Sequence, residues 1–331
     1  MLSDRFGRVH DYLRISVTDR CNLRCLYCMP EEGMEFADSS ELLSYDQIVE
    51  VVEAAAELGF KRLRITGGEP LVRPGLDGLI RRLKAISGIV EISLTTNGIL
   101  LARQARALRE AGLDRVNISL DTLDASRFRM IARRGGLEQV MAGIQAAGKA
   151  GLGPIKLNCV LLKGINEDEV KSFLRLSINH PLHIRFIEYM PIGHADEQWR
   201  RSYLPLSNVM DTAKELGLPM APLSSMTGNG PSENWAFKGA VGSFGLIHPV
   251  SDRFCASCNR LRLTADGNLQ PCLYWVDELN VKPALGNRGE LQELFRRAAD
   301  IKPENHDMAA KLHDNALSHT PTSRRMSQIG G

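Results

Sequence analysis

The 331-residue sequence has no apolar run long enough to span a bilayer, and its first ten residues carry charges rather than an apolar stretch. We therefore expect no transmembrane helix, no signal peptide, no membrane partner and a cytoplasmic location. The formal net charge is only +2, which argues against nucleic acid as a partner. At 44% hydrophobic residues, the chain can bury a sizeable core without disulfides.

Cysteine is scarce but unevenly placed. Of the seven cysteines, six fall into two tight groups, and Cys159 stands alone in an apolar segment where we expect a buried core thiol. In a reducing compartment, such grouping indicates metal or cluster ligands rather than disulfides.

Alternation of β-rich and helical patterns runs from residue 12 to about residue 217 and predicts an α/β fold with a parallel sheet. Six strand–helix units fit an open or partial (β/α)6 barrel better than a closed eight-unit barrel. A stretch rich in Ser, Gly, Pro and Asn at residues 221–232 suggests a boundary, giving regions 1–220 and 221–331. The predicted strands are 12–17, 62–66, 91–95, 115–120, 155–162, 183–189, 241–247 and 260–264, and the predicted helices are 44–59, 76–86, 102–111, 137–150, 167–179, 206–216 and 289–299.

The first cysteine group is Cys21-x3-Cys25-x2-Cys28, in the loop after the first strand. Three thiolates can hold three corners of a four-iron cluster and leave the fourth iron open to an exchangeable ligand. The alternatives are a zinc site, which usually needs four closed ligands, and chance clustering in a loop.

The second group is Cys255-x2-Cys258 with Cys272 thirteen residues beyond the pair. A zinc ribbon would need a second Cys-x2-Cys pair, which is missing, although His248 could complete a zinc site. An open cluster, whose free iron binds a substrate nitrogen or oxygen, fits the three thiols better.

Seven cations lie on predicted strands, where a solvated charge is not expected. They could each pair with a carboxylate such as Glu69, Asp121 or Glu188. Their convergence favours instead a ligand with several negative charges, since arginine binds phosphate oxygens through bidentate contacts. No Gly-x4-Gly-Lys-Ser/Thr loop is present, so side chains would hold a triphosphate. The seven are Arg14, Arg62, Arg64, Lys156, Arg185, Arg260 and Arg262.

Residues 21–28 resemble the signature of the radical S-adenosylmethionine (SAM) superfamily, in which an aromatic residue, here Tyr27, precedes the third cysteine. The resemblance implies a partial barrel and a [4Fe-4S] cluster whose open iron binds SAM. One electron from that cluster would release a 5′-deoxyadenosyl radical. The segment 67–70 resembles the glycine-glycine-glutamate-proline motif that holds the methionine end of SAM. The residues implied to contact SAM are Tyr27 near the adenine, Gly68, Ser119 and Met190.

The run from Ser16 to Asn22, the segment 260–262 after the second cysteine pair, and the terminal glycines resemble the GTP 3′,8-cyclase family. The resemblance covers nearly the whole chain and implies two [4Fe-4S] clusters. It also implies that the radical removes the C3′ hydrogen of GTP and that the new carbon radical attacks C8. After reduction of the cyclised radical, the product would be (8S)-3′,8-cyclo-7,8-dihydroguanosine 5′-triphosphate, in the first step of molybdenum cofactor biosynthesis.

By the same resemblance, GTP is bound by Arg14, Arg64, Thr95, Lys156, Arg260 and Arg262, with Arg62 and Arg185 as secondary candidates. Arg62 stands where relatives often have lysine. The second cluster, on Cys255, Cys258 and Cys272, would bind the guanine. Gly330 and Gly331 would reach into the active site and assist catalysis, although most chain ends are frayed. The implied partners are an external electron donor, a second copy of the chain in a homodimer, and cyclic pyranopterin monophosphate synthase, which receives the product.

Two other functions compete with this interpretation. A peptide-modifying radical SAM enzyme would usually have a longer and more cysteine-rich carboxyl region. A zinc protein that binds RNA is disfavoured by the near-neutral charge and the regular strand–helix framework.

Overall fold

The computed structural model describes residues 1–193, 197–223, 230–252, 254–313, 317 and 319–330. Its strands are β1 (Leu2–Ser3), β2 (Val9–His10), β3 (Tyr12–Ser16), β4 (Arg62–Thr66), β5 (Glu91–Thr96), β6 (Arg115–Ser119), β7 (Ile155–Leu161), β8 (Leu182–Glu188), β9 (Met220–Pro222), β10 (Glu233–Phe237), β11 (Ser243–Ile247), β12 (Arg260–Leu263), β13 (Asn268–Gln270) and β14 (Leu279–Asn280). Its α-helices are α1 (Tyr45–Glu57), α2 (Leu76–Lys84), α3 (Leu101–Glu110), α4 (Ala125–Ala132), α5 (Leu137–Lys149), α6 (Val170–Asn179), α7 (Glu197–Ser202), α8 (Ser207–Glu215), α9 (Arg288–Asp300) and α10 (Met326–Ile329).

One twelve-stranded sheet organises the molecule, in the order β14-β13-β12-β3-β4-β5-β6-β7-β8-β11-β10-β9. The eight strands from β12 to β11 are parallel, and the pairs at both edges are antiparallel. Among the described strands no pairing joins β11 to β12, so the barrel is partial, which confirms the predicted fold class.

The carboxyl-terminal part of the chain completes this sheet on both sides. Strands β9 to β11 extend the β8 edge, and β12 to β14 extend the β3 edge. The sheet is therefore continuous across residue 220, where the sequence suggests a boundary. The division of the chain into two regions at that point stays a prediction.

Alternation along the strands separates the helix-packed core from the inner face. On β3, Leu13 and Ile15 are fully buried in the main hydrophobic cluster. Arg14, which lies between them in the sequence, faces the interior of the barrel. On β4, Leu63 and Ile65 flank Arg64 in the same way. Because successive side chains of a strand point to opposite faces, the apolar residues pack against the helices outside the sheet and the polar residues face the inside of the barrel.

Helix α1 shows why the local sequence signals were informative. The Ser44 side chain accepts a hydrogen bond from the Gln47 amide, and the Gln47 side chain accepts one from the Ser44 amide, which forms a capping box at the start of the predicted helix 44–59. Ile48, Val51 and Val52 are fully buried, as their spacing predicts. No described helix has the length and apolar character needed to cross a membrane.

Several elements were not predicted from the sequence. Helix α4, helix α7, the β1–β2 hairpin and strands β9 and β10 were missed. No helix or strand is predicted after residue 301, yet described residues of this segment are structured. A backbone bridge pairs Trp275 with Pro321, and Ile329 is buried. These are short segments whose stability comes from tertiary contacts rather than from local propensity.

The buried His183 on β8 gives a prediction for the pH dependence of stability. Burial, together with the charges of Arg185 and Lys156, lowers the pKa of His183 to about 3, and its Nδ1 lies 2.8 Å from the Ser243 Oγ. From pH 6.5 down to 3 the unfolded chain therefore binds a proton that the folded chain does not, so stability falls as the pH is lowered. At pH 5 this histidine should cost about 2 kcal/mol relative to pH 7.

We expect the difference in unfolding free energy between wild type and His183→Gln to shrink by about 2 kcal/mol between pH 7 and pH 5. Denaturant unfolding at both pH values measures it. A gap for His183→Gln that is the same at both pH values would contradict the prediction.

Candidate active site

A cavity of about 250 Å³ lies inside the partial barrel, at the carboxyl ends of the parallel strands. Alternate residues of β3, β4, β5, β6, β7, β8, β11 and β12 line it, and the loop carrying the first cysteine group contributes another part of the wall. Ligand sites in α/β barrels form at this end of the strands. The same cavity is lined by Tyr27, Gly68, Ser119 and Met190, the four residues predicted to contact SAM.

The first thiol triad, Cys21, Cys25 and Cys28, lies on the loop after β3, and all three residues line the cavity. Arg24 holds the loop from outside by donating from Nη1 to the Cys21 carbonyl oxygen at 2.7 Å. Helix α4 accepts two further backbone hydrogen bonds from the loop, each 3.0 Å long. Burial raises the pKa of all three thiols, to about 11 at Cys21. A bound cation such as iron would reverse that preference, since a coordinating thiol is deprotonated.

The glycine pair after β4 packs directly against the backbone that leads to Cys21. The Gly68 amide donates to the Thr18 carbonyl oxygen at 2.8 Å, and the Glu69 amide donates to the Arg20 carbonyl oxygen at 2.8 Å. A Cβ on Gly68 would lie 2.5 Å from the carbonyl oxygens of both Asp19 and Arg20. The glycines are therefore required by a close approach of two protein segments as well as by the cavity they line.

Glu69 connects this segment to β5. Its fully buried carboxylate accepts hydrogen bonds from the Thr96 hydroxyl at 2.7 Å and from the Asn97 amide at 2.6 Å. The Asn97 side chain in turn lies 3.8 Å from the Cys21 sulfur and donates to Asn22 at 2.8 Å. Burial raises the pKa of Glu69 to about 7 despite these donors. Glu69 thus fixes the ends of β4 and β5 relative to the first thiol triad.

Tyr27 is held by a carboxylate across the cavity. Its hydroxyl donates to Asp121 Oδ2 at 2.6 Å, and its ring lies 6.1 Å from that of Tyr189. Burial raises the pKa of Asp121 to about 6. Asp121 is the one carboxylate among the described residues lining the cavity, and the sequence did not single it out for this position.

Three arginines form a continuous row across neighbouring strands. In the sheet register Arg262 on β12 pairs with Arg14 on β3, and Arg14 pairs with Arg64 on β4. Arg64 and Arg262 are buried and Arg14 is partly buried, and all three line the cavity, together with Arg185 and Arg260. The row exists because a strand from the carboxyl-terminal region joins the sheet beside the first barrel strand.

These cations destabilise one another. Burial, then the charges of Arg262 and Arg64, holds the pKa of Arg14 well below its usual value. Burial and the Arg260 charge lower the pKa of Arg262 to about 10, and burial and the Arg64 charge lower that of Arg185 to about 9. Among the residues that the structure describes, five arginines and one carboxylate line this cavity, so a polyanionic ligand would stabilise it.

Several buried polar atoms at the cavity have no hydrogen-bond partner among the described residues. They include Tyr12 Oη, Thr95 Oγ1 and Asn158 Oδ1, and also the Nε atoms of Arg14, Arg185 and Arg260. Buried polar groups are normally satisfied, so unpartnered ones facing a cavity indicate a ligand. Sequence analysis had missed Tyr12 and Asn158. Tyr12 could have been found, since it stands two residues before Arg14 and so shares its face.

Two of the seven strand cations stand apart from the cavity wall. Arg62 forms an ion pair with Asp11. Lys156 is buried on β7, two residues before the lining residue Asn158, and burial with the charges of Arg185 and Arg115 lowers its pKa to about 7.

The carboxylates considered as partners for these cations were the wrong ones. Glu69 and Asp121 accept hydrogen bonds from Thr96 and Tyr27, as described above. Glu188 is fully buried and accepts from the Ser251 hydroxyl at 2.5 Å and the Val250 amide at 2.8 Å. These carboxylates fasten loops rather than neutralise the arginines.

The second thiol triad, Cys255, Cys258 and Cys272, lines a smaller cavity of about 70 Å³. The two cavities share a wall that includes Arg260 and Arg262. Burial opposes ionisation of the Cys258 thiol, but the charges of Arg260 and Lys302 prevail and lower its pKa to about 6. The two thiol triads therefore line adjoining cavities, and Arg262 of the arginine row lies in the wall that these cavities share.

The zinc alternative with His248 is not supported by the geometry. His248 Nδ1 lies 3.8 Å from a Glu188 carboxylate oxygen, and His248 does not line the small cavity. Cys159 is fully buried beside Asp121, as predicted for a core thiol. Among the described residues, no group of three or more His, Cys, Asp or Glu side chains is arranged to hold a single metal ion.

The chain end approaches the same region. Arg262 Nη1 donates to the Gly330 carbonyl oxygen at 3.1 Å, and Met326 and Ser327 line the large cavity. Gly330 has a φ of +67°, and a Cβ there would lie 2.5 Å from the Thr66 Cγ2. Both features favour glycine at this position. Gly331 lies outside the described residues.

Two protein-family models match different parts of the chain. Residues 15–177 match the radical SAM superfamily, and residues 182–308 match the family described as Molybdenum Cofactor Synthesis C.

Proteins named GTP 3′,8-cyclase are similar over the full chain. The one from Listeria monocytogenes serovar 1/2a is 56% identical over 331 residues, covering 100% of this chain and 99% of the relative. The one from Lactiplantibacillus plantarum is 50% identical over 330 residues, with the same two coverages.

Solved structures share the fold at low identity. Streptococcus suis SuiB bound to S-adenosylmethionine has a TM-score of 0.59 at 13% identity, covering 87% of this chain and 68% of that one. The structure titled native anSMEcpe with bound AdoMet has a TM-score of 0.56 at 16% identity, covering 91% and 84%.

The contact of Gly68 with the backbone before Cys21 predicts the effect of a methyl group. Gly68→Ala should push residues 19 and 20 away and displace Cys21, so that the first thiol triad loses its iron after anaerobic reconstitution with iron and sulfide. Iron and sulfide quantification measures the loss. Gly78→Ala is the control, because a Cβ at that position in α2 meets nothing within 4 Å. Full iron retention by Gly68→Ala would show that the close approach has no role in holding the cluster loop.

Proposed function

This chain belongs to the GTP 3′,8-cyclase family of the radical SAM superfamily, and we propose from its paired cavities which residues carry out the conversion of GTP. The chain is a radical SAM enzyme that forms (8S)-3′,8-cyclo-7,8-dihydroguanosine 5′-triphosphate, the first step of molybdenum cofactor biosynthesis. The observation that carries the assignment of residues is that the arginine row lines the same cavity as the first thiol triad, and that one of its members, Arg262, also lines the cavity of the second triad.

Cys21, Cys25 and Cys28 hold a [4Fe-4S] cluster, and SAM occupies the adjoining part of the large cavity. When bound, this cluster supplies the electron for reductive cleavage of SAM, which gives the radical that starts the reaction on GTP. Tyr27, Gly68, Ser119 and Met190 surround that part of the cavity. Asp121 orients Tyr27 through the 2.6 Å hydrogen bond, and Glu69 holds the neighbouring strand ends in place.

The triphosphate of GTP binds the arginine row. Arg14, Arg64 and Arg262 lie in register on adjacent strands, and bidentate contacts from such guanidinium groups match phosphate oxygens. A bound polyanion would relieve the mutual repulsion of these buried cations. The unpartnered atoms of Tyr12, Thr95 and other lining residues are available to donate to, or accept from, the substrate.

The second thiol triad, Cys255, Cys258 and Cys272, would hold a second [4Fe-4S] cluster, whose open iron would bind the guanine of GTP. Support comes from the adjoining cavities and from Arg260, whose charge favours the Cys258 thiolate and which lies in the wall shared by the two cavities. Lys156, two residues before Asn158 on β7, contributes positive charge without lining the cavity.

The chain end assists the reaction by fixing Arg262. The Gly330 carbonyl oxygen accepts from this arginine, and the tight fit against Thr66 leaves no room for a side chain. We propose that Gly330 and Gly331 thereby keep the phosphate-binding guanidinium aimed into the cavity.

The enzyme works in the cytoplasm, where reducing conditions keep cluster thiols available. An external donor must supply electrons, since SAM cleavage consumes one in each turnover. A homodimer and transfer of the product to cyclic pyranopterin monophosphate synthase stay predictions of the family resemblance.

Replacing each thiol triad by alanine separates the two roles. The Cys21/Cys25/Cys28→Ala variant should form no deoxyadenosine from SAM. The Cys255/Cys258/Cys272→Ala variant should keep about four irons per chain and the first cluster but form no cyclised product from GTP. Anaerobic iron analysis and chromatography of both products measure these outcomes.

Cys159→Ala is the matched control, because it removes a buried cysteine outside both triads and should leave the iron content unchanged. Full cyclisation by the second triad variant would refute its role at the guanine. Equal turnover of ATP and GTP by wild type would refute the guanine assignment itself.

A further inference from the structure

The second thiol triad is assembled from two separate segments of backbone. Cys255 and Cys258 lie on the connection between β11 and β12, and Cys272 follows β13. Short loops of this kind hold a fixed geometry only if something outside them ties them together. Two buried cations, Arg8 and Lys302, line the small cavity beside the cysteines and donate hydrogen bonds to the backbone of both segments.

Arg8 comes from the amino terminus of the chain. The residue is buried, with 7% of its surface exposed. Its Nη1 donates to the Cys255 carbonyl oxygen at 3.1 Å. Nη1 and Nη2 also donate to the carbonyl oxygens of Glu304 and Pro303, each at 2.9 Å. Asp4 pairs with Nε at 2.5 Å, so the whole guanidinium is engaged.

Lys302 contacts the backbone of both segments. Its Nζ donates to the Arg260 carbonyl oxygen at 2.7 Å, two residues after Cys258. The same Nζ donates to the Pro271 carbonyl oxygen at 2.6 Å, next to Cys272. One ammonium group therefore joins the strand that follows Cys258 to the residue that precedes Cys272.

The charge of Lys302 has no carboxylate partner within 4 Å among the residues that the structure describes. The residue is only 3% exposed, and the opposite charges that act on it are the thiolates of Cys258 and Cys272. An isolated buried ammonium is costly, whereas one beside an anionic, thiolate-ligated cluster is compensated. The counter-ion of Lys302 is thus the group that the triad holds.

We propose that Arg8 and Lys302 form a two-cation clamp that positions the second thiol triad and stabilises its cluster, with Lys302 favouring the more negatively charged, reduced form. This inference rests on the proposed second cluster. It assigns the first eight residues a function at a site carried by the last third of the chain, because the β1–β2 hairpin delivers Arg8 to Cys255.

The test uses the full chain with Cys21, Cys25 and Cys28 replaced by alanine, so that any iron–sulfur signal belongs to the second triad. Lys302→Met is introduced in this parent, with Lys302→Arg as the conservative variant. Lys282→Met is the matched control, since Lys282 Nζ also donates to a backbone carbonyl, that of Glu41 at 2.6 Å, but on the exposed surface. Iron and sulfide are quantified after anaerobic reconstitution, and the reduction potential is measured by electron paramagnetic resonance titration.

We expect Lys302→Met to lose most of its iron or, where iron is retained, to show a more negative reduction potential. Lys302→Arg should restore both properties toward the parent, and Lys282→Met should match the parent. Identical iron content and potential in Lys302→Met and the parent would overturn the clamp, as would an equal loss in Lys282→Met.

If Lys302→Met does not fold, Arg8→Lys gives the second comparison. It keeps the charge but cannot reach three carbonyl oxygens, so iron retention should fall, and an unchanged value would overturn the proposal. If instead the parent itself binds no iron, the proposed second cluster is wrong, and that outcome is distinct from failure of the clamp alone.

Discussion

Repulsion among buried arginines on the inner face of the sheet is the constraint on which the site depends. Arg262, Arg14 and Arg64 stand side by side on three paired strands, and the cavity they line contains a single described carboxylate. Folding tolerates this row because the opposite faces of the same strands bury Leu13, Ile15 and other apolar side chains against the helices. Positive charge without a neutralising carboxylate therefore lies where a nucleotide triphosphate can neutralise it, so the site selects its ligand by charge.

The continuous sheet explains how two metal centres come to face one ligand. The carboxyl-terminal residues extend both edges of the six-unit barrel, and β12 pairs with β3 in the register that completes the arginine row. The connection leading into β12 carries Cys255 and Cys258, whereas the loop leaving β3 carries the first triad. Pairing of these two strands therefore sets the position of one thiol triad relative to the other, and Arg260 and Arg262 lie in the wall that the two cavities share.

Local patterns predicted the parts of this structure that local physics determines. The helix predicted at residues 44–59, which begins at the capping box of Ser44 and Gln47, has ends within two residues of those of α1. The strand predicted at residues 62–66 has the same ends as β4. Cysteine spacing predicted both triads. Long-range contacts could not be predicted in the same way: the β1–β2 hairpin is too short to show a pattern, and its role follows from the hydrogen bonds of Arg8. Lys156 and Arg62 have the same charge as the lining arginines. Only the fold shows that Lys156 does not line the cavity and that Arg62 forms an ion pair with Asp11.

The central claim is that the arginine row binds the triphosphate, and GTP binding tests it most directly. Equilibrium dissociation constants for GTP and for guanosine should be measured with the cluster-loaded wild type and with Arg14→Gln. The account predicts that Arg14→Gln weakens GTP binding by about 10- to 100-fold, as expected for a lost charge-assisted contact in a buried site, and leaves guanosine binding unchanged. Guanosine binding as tight as that of GTP, or an equal weakening of both ligands, would contradict it.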